Sequence, residues 1–268
     1  MLEYNKQHPL RVFEAFAGYG AQSLALERLK REFPDFDYEL VGCSEVEMNA
    51  CAAHRALFPQ WGGYNYGDIS KIDWAKVPDF ELFTYSFPCQ SISAAGKQAG
   101  LEEGSGTRSS LLWECRKAIE AKKPKYLLME NVKALLSKKF KPYFNKWLSE
   151  LVNYGYTNYY QIMNAADYGV PQHRERVFCI SILNDGSEQT FKFPKPFPLE
   201  YNISDVLEQK VDDKYYLSDK VLQYFKRVDE DKSHCHNFNP KKKTDIAFAV
   251  RCKAGSRVDD NFYEETEL

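Results

Sequence analysis

A cysteine in a defined backbone setting is the first residue of this sequence that could do covalent chemistry. Cys89 follows Asp79–Phe87, an apolar run that predicts a strand, and Pro88 stands between the two. Because Pro88 fixes its own φ and holds Phe87 extended, the thiol would lie on a defined turn at a strand end. Most cysteines are only small apolar residues, so this position alone leaves both a nucleophile and a core residue open.

A carboxylate and two guanidinium groups lie at comparable strand ends. Glu130 follows Tyr126–Met129, which predicts a strand, and Arg174 and Arg176 precede the strand predicted at Val177–Leu183. A spacing of two puts both arginines on one face of an extended chain. Each residue alone is explained by a salt bridge or by packing. Together, a thiol, a carboxylate and two cations at one sheet edge predict an active site.

A glycine-rich turn near the start of the chain predicts a second binding element. The predicted strand Leu10–Phe16 runs into Gly18 and Gly20 ahead of a predicted helix, as in the first turn of a nucleotide site. Two acids, Glu45 and Asp68, end the next two extended segments. A structural turn and helix-capping acids would explain the same residues singly. Because the third glycine of dinucleotide binders is missing, the set favours an adenosine group without a pyrophosphate, and S-adenosylmethionine fits it.

The elements that must hold these residues alternate between strands and helices over the first two thirds of the chain. Such alternation predicts an α/β fold with a mostly parallel, doubly wound sheet. We expect residues 1–185 to form a catalytic, cofactor-binding domain and residues 186–268 a smaller, incomplete module. Besides the strands above, we predict strands at Glu39–Cys43 and Tyr159–Met163, and helices at Ser23–Glu32, Glu47–Leu57, Ser109–Ala121, Pro142–Leu151 and Ser218–Arg227.

The composition excludes several classes of protein. The chain has 268 residues, 44% of them hydrophobic, and a net charge of −2, so no overall basic field indicates nucleic acid. The sequence shows no apolar run of transmembrane length and no secretory leader, which predicts no membrane partner. Seven cysteines without a CxxC pair predict free thiols in a reducing cytosol. The His234-Cys235-His236 run lacks a second ligand pair, so we expect no metal site.

Taken together, the motifs resemble those of the DNA (cytosine-5)-methyltransferase family. FAGYG, FPCQS, MENV and QHRERVF occur in the order and at the spacing of that family, over roughly residues 10–183. The resemblance implies the Rossmann-like fold of S-adenosylmethionine-dependent methyltransferases, with S-adenosylmethionine as cofactor and double-stranded DNA as partner. It also implies that residues 186–268 are a partial target-recognition region.

The resemblance implies a role for each motif residue. Cys89, as thiolate, would attack carbon 6 of a cytosine flipped out of the duplex, and Glu130 would hold the N3 and amino side of the base. Arg174 and Arg176 would contact the base carbonyl and a nearby phosphate. Carbon 5 would then take the methyl group, and Cys89 would leave. The cofactor pocket would be formed by Phe16, Gly18, Tyr19, Glu45, Asp68, Ile69, Pro88 and Leu111.

The stretch between Ala121 and Trp147 is rich in lysine. It holds eight lysines and one acid, Glu130. A lysine-rich face is usually only solvated. In a DNA methyltransferase it would supply phosphate contacts, which carry strong salt dependence but no choice of sequence.

The later motifs of the family are absent from the sequence. Neither the Arg-x-Leu-Thr segment that organises the recognition domain nor the Gly-Asn-Ser-Val helix occurs. We therefore expect a restriction–modification or phage-type enzyme, with a second polypeptide or a truncated chain as explanations for the missing motifs. Two competing hypotheses are a tRNA cytosine-5 methyltransferase, whose Cys-Phe-Thr signature does not occur here, and a non-catalytic subunit that retains the fold.

Overall fold

The structure, a computed structural model, describes most of the chain. Described are residues 3–61, 64–93, 100–186, 190–208 and 210–230, together with 238, 240, 242, 245–249 and 261–263. The His234-Cys235-His236 run lies outside the described residues.

The strands form one large sheet and one short pair. They are β1 Leu10–Ala15, β2 Tyr38–Ser44, β3 Leu82–Tyr85, β4 Tyr126–Val132, β5 Tyr156–Asn164, β6 Gln172–His173, β7 Glu175–Leu183 and β8 Ala247–Phe248. The six-stranded sheet has the order β2-β1-β3-β4-β7-β5, and β6 pairs with β8. The pairs β1–β2, β1–β3 and β3–β4 are parallel, and β7 runs antiparallel to β4. The mostly parallel sheet predicted from the sequence is therefore confirmed.

Helices follow the strands as the alternating pattern predicts. The α-helices are α1 Ala21–Glu32, α2 Met48–Leu57, α3 Cys115–Lys122, α4 Lys141–Asn153 and α5 Asp219–Glu230. The side chain of Glu47 caps α2 by accepting a hydrogen bond from the Ala50 N–H, and Pro142 stands in the first turn of α4. The single helix predicted at Ser109–Ala121 is instead a 3-10 helix, Arg108–Glu114, followed by α3.

The strand order places the carboxyl ends of β1 and β3 side by side. After β1 the chain adds β2 on one side, and it then crosses to add β3 on the other side of β1. Ligands of open α/β sheets bind at such a switch point. Residues 16–20 follow β1 and residues 86–89 follow β3, so both predicted binding elements start from this point.

Strand β3 is shorter than the sequence predicts. The run Asp79–Phe87 forms a strand only over Leu82–Tyr85. Beyond it, the Phe87 carbonyl accepts a hydrogen bond from the side chain of Asn131 and not from the backbone of a neighbouring strand. The chain is thereby released from the sheet before it reaches Cys89.

Strand β4 is longer than predicted. The prediction ends it at Met129, but it continues through Glu130 to Val132 because it pairs with β7 as far as Arg176. Glu130 lies just beyond the end of the β3–β4 pairing, and its pairing with Phe178 of β7 restricts its backbone.

Large aromatic side chains pack under this edge of the sheet. Phe83 and Tyr85 of β3 are fully buried and stack with ring centroids 5.2 Å apart. Trp147 of α4, also buried, donates its indole N–H to the Tyr85 hydroxyl at 3.1 Å. Burial of each such ring contributes about 1.5–3 kcal/mol, so the strands that carry the site are firmly held.

The chain divides into two compact units. One comprises Met1–Ile162 and Arg176–Phe193, and the other comprises Met163–Glu175 and Pro194–Leu268. The second unit contains the β6–β8 pair and α5, which confirms the helix predicted at Ser218–Arg227. The assignment of residues 186–268 to target recognition stays a prediction. Across the described ranges, no helix has the length and hydropathy needed to cross a bilayer.

Candidate active site

The turn after β1 has an unusual backbone. Phe16 has a φ of 56°, and Gly18 and Gly20 have φ values of 58° and 90°. A bulky residue in the left-handed region is strained, and strain of this kind persists only where the surroundings enforce it. A Cβ at Gly20 would lie 2.5 Å from the Phe58 ring, whereas one at Gly18 would meet no described atom within 4 Å. The turn is therefore packed at Gly20 and open at Gly18, where a ligand can approach the backbone.

Glu45 lies directly after β2, and its carboxylate is fixed by three backbone N–H groups. Oε2 accepts from Gly18 at 2.8 Å, and Oε1 accepts from Val46 and Glu47, each at 2.8 Å. The carboxylate therefore joins the glycine turn to the end of β2 and is held in one orientation. A carboxylate has about four acceptor sites, so Glu45 retains the capacity to accept a ribose hydroxyl.

The segment that carries Asp68 is joined to Glu45 by hydrogen bonds of Asn65. The side-chain oxygen of Asn65 accepts from the N–H groups of Glu45 and Gly67, each at 3.0 Å. Asp68 itself accepts from the hydroxyl and the N–H of Ser70, and these bonds hold the pKa of Asp68 below its ordinary value. Asp68 is therefore an ionised acceptor in a segment that Asn65 joins to Glu45, as the prediction of an adenosine site requires.

The other predicted cofactor residues differ in exposure. Tyr19 is 54% exposed, and Ile69 is buried in the main core. Pro88 and Leu111 are half-buried, the first after β3 and the second in the 3-10 helix. An open glycine turn, a fixed acceptor and partly buried apolar side chains suit an adenosine group, so these residues fit the predicted cofactor.

Glu14, a carboxyl buried in β1 before the glycine turn, supports that turn and was not predicted from the sequence. It is fully buried and accepts hydrogen bonds from the Ser23 hydroxyl and the Gln22 N–H in the first turn of α1. Burial raises the pKa of Glu14 to about 7. The signal for it was a lone acid between the apolar residues Phe13 and Ala15 of the predicted strand.

The raised pKa of Glu14 predicts a stability that falls as the pH rises. The folded protein keeps the Glu14 proton up to about pH 7, whereas the unfolded chain releases it near the ordinary value of 4.5. Between these values, rising pH therefore favours unfolding. The variant Glu14→Gln has no proton to lose at this position. We therefore expect the free energy of unfolding of the wild type, minus that of the variant, to fall by about 2–3 kcal/mol between roughly pH 5 and pH 8.

Urea unfolding of both proteins at the two pH values measures this difference. The titration of His54, whose pKa burial lowers, is common to both proteins and cancels. A difference that stays constant with pH would show that Glu14 does not titrate in this range.

The described thiols differ in their environment. Burial raises the pKa of Cys43 and of Cys179 to about 12, and it raises the pKa of Cys115 well above its ordinary value. These three thiols stay protonated at neutral pH and are poor nucleophiles. Cys51 and Cys89 are only half-buried, and Cys89 is the one that follows a strand at the switch point.

The segment that carries Cys89 is bonded to the end of β4. The side-chain amide of Asn131, which is 1% exposed, donates to the Phe87 carbonyl at 2.9 Å. Its oxygen accepts from the N–H of Val132 at 2.9 Å, so the amide is fixed at both ends. The residue two positions before Cys89 is therefore held against the residue that follows Glu130.

Glu130 and Arg176 form an ion pair across the β4–β7 pair of strands. Nε of Arg176 lies 3.0 Å from Oε1 of Glu130, and the two side chains are 20% and 21% exposed. A partly buried guanidinium–carboxylate bond of this kind fixes the orientation of both groups. The structure thus brings together three of the four predicted catalytic residues at one sheet edge: Cys89, Glu130 and Arg176.

Arg174 is placed differently from Arg176. Its side chain is exposed, and it belongs to the second unit. Its backbone is fixed there, because its N–H donates to Asn164 at 2.9 Å and its carbonyl accepts from Ala165 at 3.1 Å. The contact of Arg174 with the DNA substrate stays a prediction.

Comparison with known proteins decides the family. The family described as C-5 cytosine-specific DNA methylase matches residues 10–261. The chain belongs to this family. Over 264 residues the methylase is 46% identical to the type II methyltransferase M2.ScrFI of Lactococcus lactis subsp. cremoris. The match covers 80% of this chain and 71% of M2.ScrFI. Over 279 residues it is 35% identical to the orphan methyltransferase M.SssI of Spiroplasma monobiae, with 82% and 70% covered.

The family confirms the activity and the cofactor predicted from the motifs. Its members transfer a methyl group from S-adenosylmethionine to carbon 5 of cytosine in DNA, and the methylase is an enzyme of this type. DNA is accordingly its substrate.

Solved structures agree with the predicted fold. The methylase resembles the S. pombe Dnmt2 methyltransferase with a TM-score of 0.63 and 20% identity, over 88% of this chain and 69% of that one. It resembles the Entamoeba histolytica methyltransferase EhMeth with a TM-score of 0.67 and 18% identity, over 89% and 69%. The S-adenosylmethionine-dependent methyltransferase fold is therefore confirmed.

Proposed function

We propose that this methylase flips its target cytosine out of double-stranded DNA and attacks it with the Cys89 thiolate. The observation that supports this best is a series of bonds along the sheet edge. Asn131 holds the Phe87 carbonyl before the thiol, and its neighbour Glu130 is paired with Arg176. A nucleophile, a carboxylate and a guanidinium at one edge form the set that covalent activation of a base requires.

Cys89 supplies the covalent step. Its Sγ, as thiolate, forms a bond to carbon 6 of the flipped base and pushes the electron pair of the C5–C6 double bond toward carbon 5. S-adenosylmethionine, when bound, supplies the methyl group that carbon 5 takes up. Loss of the proton from carbon 5 then restores the double bond and expels Cys89 as thiolate, so the nucleophile is regenerated in each turnover.

Glu130 and the arginines stabilise the base while it is attacked. Glu130 holds the N3 and amino side, where electron density rises, by hydrogen bonding or by sharing a proton. Arg176 orients Glu130 and contacts the base carbonyl. Arg174 contacts a phosphate of the DNA, and the positive charge of Arg176 favours the thiolate form of Cys89.

Different cofactor residues contact different parts of the adenosine group. Glu45 accepts hydrogen bonds from the ribose hydroxyls, and Asp68 accepts from the adenine amino group. The open turn at Gly18 admits the cofactor close to the backbone. Apolar contacts come from Phe16, Tyr19, Ile69, Pro88 and Leu111.

In the lysine-rich stretch, the lysines before β4 and those after it differ in their suitability for phosphate contacts. Lys122 and Lys125 precede β4, away from the site edge, and Lys122, Lys125 and Lys146 form ion pairs with acids. Lys138 and Lys141 follow the carboxyl end of β4, are exposed, and form no ion pair with a described acid. We propose that these two lysines contact the phosphates of DNA.

Removal of the charge at Lys138 and Lys141 is therefore expected to weaken DNA binding at every sequence equally. Each lost phosphate contact reduces the slope of log K against log salt by about 0.9. The double variant Lys138→Gln/Lys141→Gln should show a shallower slope in a fluorescence-anisotropy titration at several salt concentrations.

Lys123→Gln is the matched control, because Lys123 is also exposed but lies before β4. It should leave the salt slope unchanged. An equal change of slope in the control and the double variant would indicate a general charge effect and contradict the assignment.

We also propose that the recognition segment and the Gly-Asn-Ser-Val helix, which residues 1–268 do not contain, come from a further part of the same protein or from a second polypeptide. We propose in addition that the methylase acts in the cytoplasm of a bacterium. M2.ScrFI is named a type II methyltransferase, and M.Rho11sI of Bacillus phage rho11s is named an orphan methyltransferase. These names support a restriction–modification or phage role.

Transfer of labelled methyl groups tests the proposed function. The methylase, alone and with the product of the neighbouring reading frame, is incubated with labelled S-adenosylmethionine and one of three acceptors. Label should enter cytosine-containing duplex DNA but neither poly(dA)·poly(dT) nor tRNA. Label in tRNA alone would favour the RNA enzyme, and no label in any acceptor would favour a non-catalytic subunit.

A further inference from the structure

The turn that carries Cys89 is built from two backbone hydrogen bonds. The N–H groups of Ile92 and Ser93 both donate to the Cys89 carbonyl, at 3.0 Å and 2.8 Å. These bonds close the turn after the thiol, but they do not attach it to the rest of the protein. Its orientation relative to the sheet must be set by contacts from outside the turn.

Ser109 makes such contacts on both sides of Cys89. Its hydroxyl donates to the Pro88 carbonyl at 2.6 Å and accepts from the Ser91 N–H at 3.2 Å. Ser109 is fully buried, and Ser91 is 9% exposed. One hydroxyl therefore holds the peptide group before the thiol and the amide two residues after it.

The element that carries Ser109 is itself firmly held. Thr107 caps the 3-10 helix by accepting from the Ser110 N–H, and Leu112 and Trp113 are buried. The indole N–H of Trp113 donates to the Leu101 carbonyl at 2.9 Å. The Ser109 hydroxyl is thus a fixed point on a packed helix.

We propose that Ser109 is a positioning residue that sets the direction of the Cys89 thiol for attack on carbon 6. This inference rests on the proposed role of Cys89 as the nucleophile. Without the hydroxyl, the Pro88 carbonyl and the Ser91 N–H both lose a partner. Other bonds to the segment remain, from Arg108 to the Gln90 side chain and from the Gly100 N–H to the Ser91 carbonyl, so we expect the turn to shift rather than to come loose. A displacement of the reacting atom by about 1 Å can cost on the order of 10²-fold in rate.

The proposal is tested with DNA that carries 5-fluorocytosine at its cytosines. S-adenosylmethionine is present, so carbon 5 takes the methyl group while it still holds fluorine in place of the proton that must be lost. The bond between Cys89 and the base then cannot be released, and the adduct accumulates. The rate of adduct formation in a single turnover is measured on denaturing gels. Affinities for S-adenosylmethionine and DNA and the melting temperature are measured alongside.

We expect Ser109→Ala to form the adduct on the order of 10- to 100-fold more slowly, with both affinities within about twofold of the wild type. The neighbouring variant Ser110→Ala is the matched control. The Ser110 hydroxyl donates to the Thr107 carbonyl of its own helix at 2.7 Å, so this variant should form the adduct at the wild-type rate.

The pair Ser109→Thr and Ser109→Val keeps the test decisive if the alanine variant does not fold. The two side chains have the same shape, so any strain from the added methyl group is common to both. We expect the threonine variant to react faster than the valine variant by a factor of 10 or more, on the order of the misplacement effect above. Equal rates in the two variants would overturn the proposal.

A Cys89→Ser variant separates this proposal from the one on which it rests. Adduct formation by Cys89→Ser at the wild-type rate would overturn the proposed nucleophile and the positioning role together. Loss of the adduct in Cys89→Ser, with an undiminished rate in Ser109→Ala and Ser109→Val, would overturn only the role of Ser109.

Discussion

Replacement of Cys89 by serine is expected to lower the rate of methyl transfer by at least about 10³-fold, as the loss of a covalent nucleophile does in other enzymes. A serine hydroxyl is a poor nucleophile at neutral pH unless a base activates it, whereas a thiol is partly ionised. The exchange of sulfur for oxygen hardly changes the shape of the side chain. We therefore expect the affinity for S-adenosylmethionine, measured by calorimetry, to stay within about twofold of the wild type, because no nucleophile is needed for binding.

A second cysteine variant controls for loss of a thiol as such. Cys179 is 1% exposed in β7, and burial keeps its thiol protonated. Cys179→Ala should lower the melting temperature through the small cavity it leaves, yet methylate DNA at a rate close to that of the wild type. Wild-type activity in Cys89→Ser, or an equal loss in both variants, would contradict covalent attack by Cys89.

The positions of the site residues at strand ends could be predicted from the sequence. Cys89 and Glu130 each follow an apolar run, and parallel strands end at a common edge. The pattern of runs and turns therefore determines which residues meet there. The same logic located the glycine turn after β1 and Glu45 after β2.

The side chains that fix these residues could not be predicted, because their contacts join distant parts of the chain. Asn131 reaches the Phe87 carbonyl across 44 positions, and Ser109 reaches the Pro88 carbonyl across 21. No local periodicity encodes such a bond. The bounds of β3 and of the 3-10 helix were mispredicted for a related reason, since tertiary contacts, rather than propensity, decide where an element ends.

The pairing of Glu130 with Arg176 could not be predicted from the sequence either. It changes the expected effect of substitutions at these two positions. The resemblance assigned both arginines to the substrate, but the bond of 3.0 Å makes Arg176 the partner of Glu130 as well. Removal of either side chain then disturbs the other. Two residues that act as one unit should give effects that do not add.

We therefore expect Glu130→Gln and Arg176→Gln each to lower single-turnover methyl transfer by about 10²- to 10³-fold, in the range of a lost acid–base group. The double variant should be no more than about threefold slower than the slower single variant, because each single change already disrupts the unit. Rapid-quench measurements with saturating DNA and S-adenosylmethionine give the rates. Losses that multiply in the double variant would show that Arg176 acts on the DNA independently of Glu130.

An ion pair elsewhere in the methylase serves as a control that distinguishes an effect on catalysis from an effect on stability. Arg116 of α3 lies 2.9 Å from Glu150 of α4, with side chains that are 26% and 20% exposed, close to the values for Glu130 and Arg176. Loss of one partner from a partly buried pair costs stability in both places. Arg116→Gln should therefore lower the melting temperature at least as much as Arg176→Gln while leaving the transfer rate close to that of the wild type. Because stability is affected similarly in both variants, the difference in transfer rate measures what the guanidinium at position 176 contributes to the reaction.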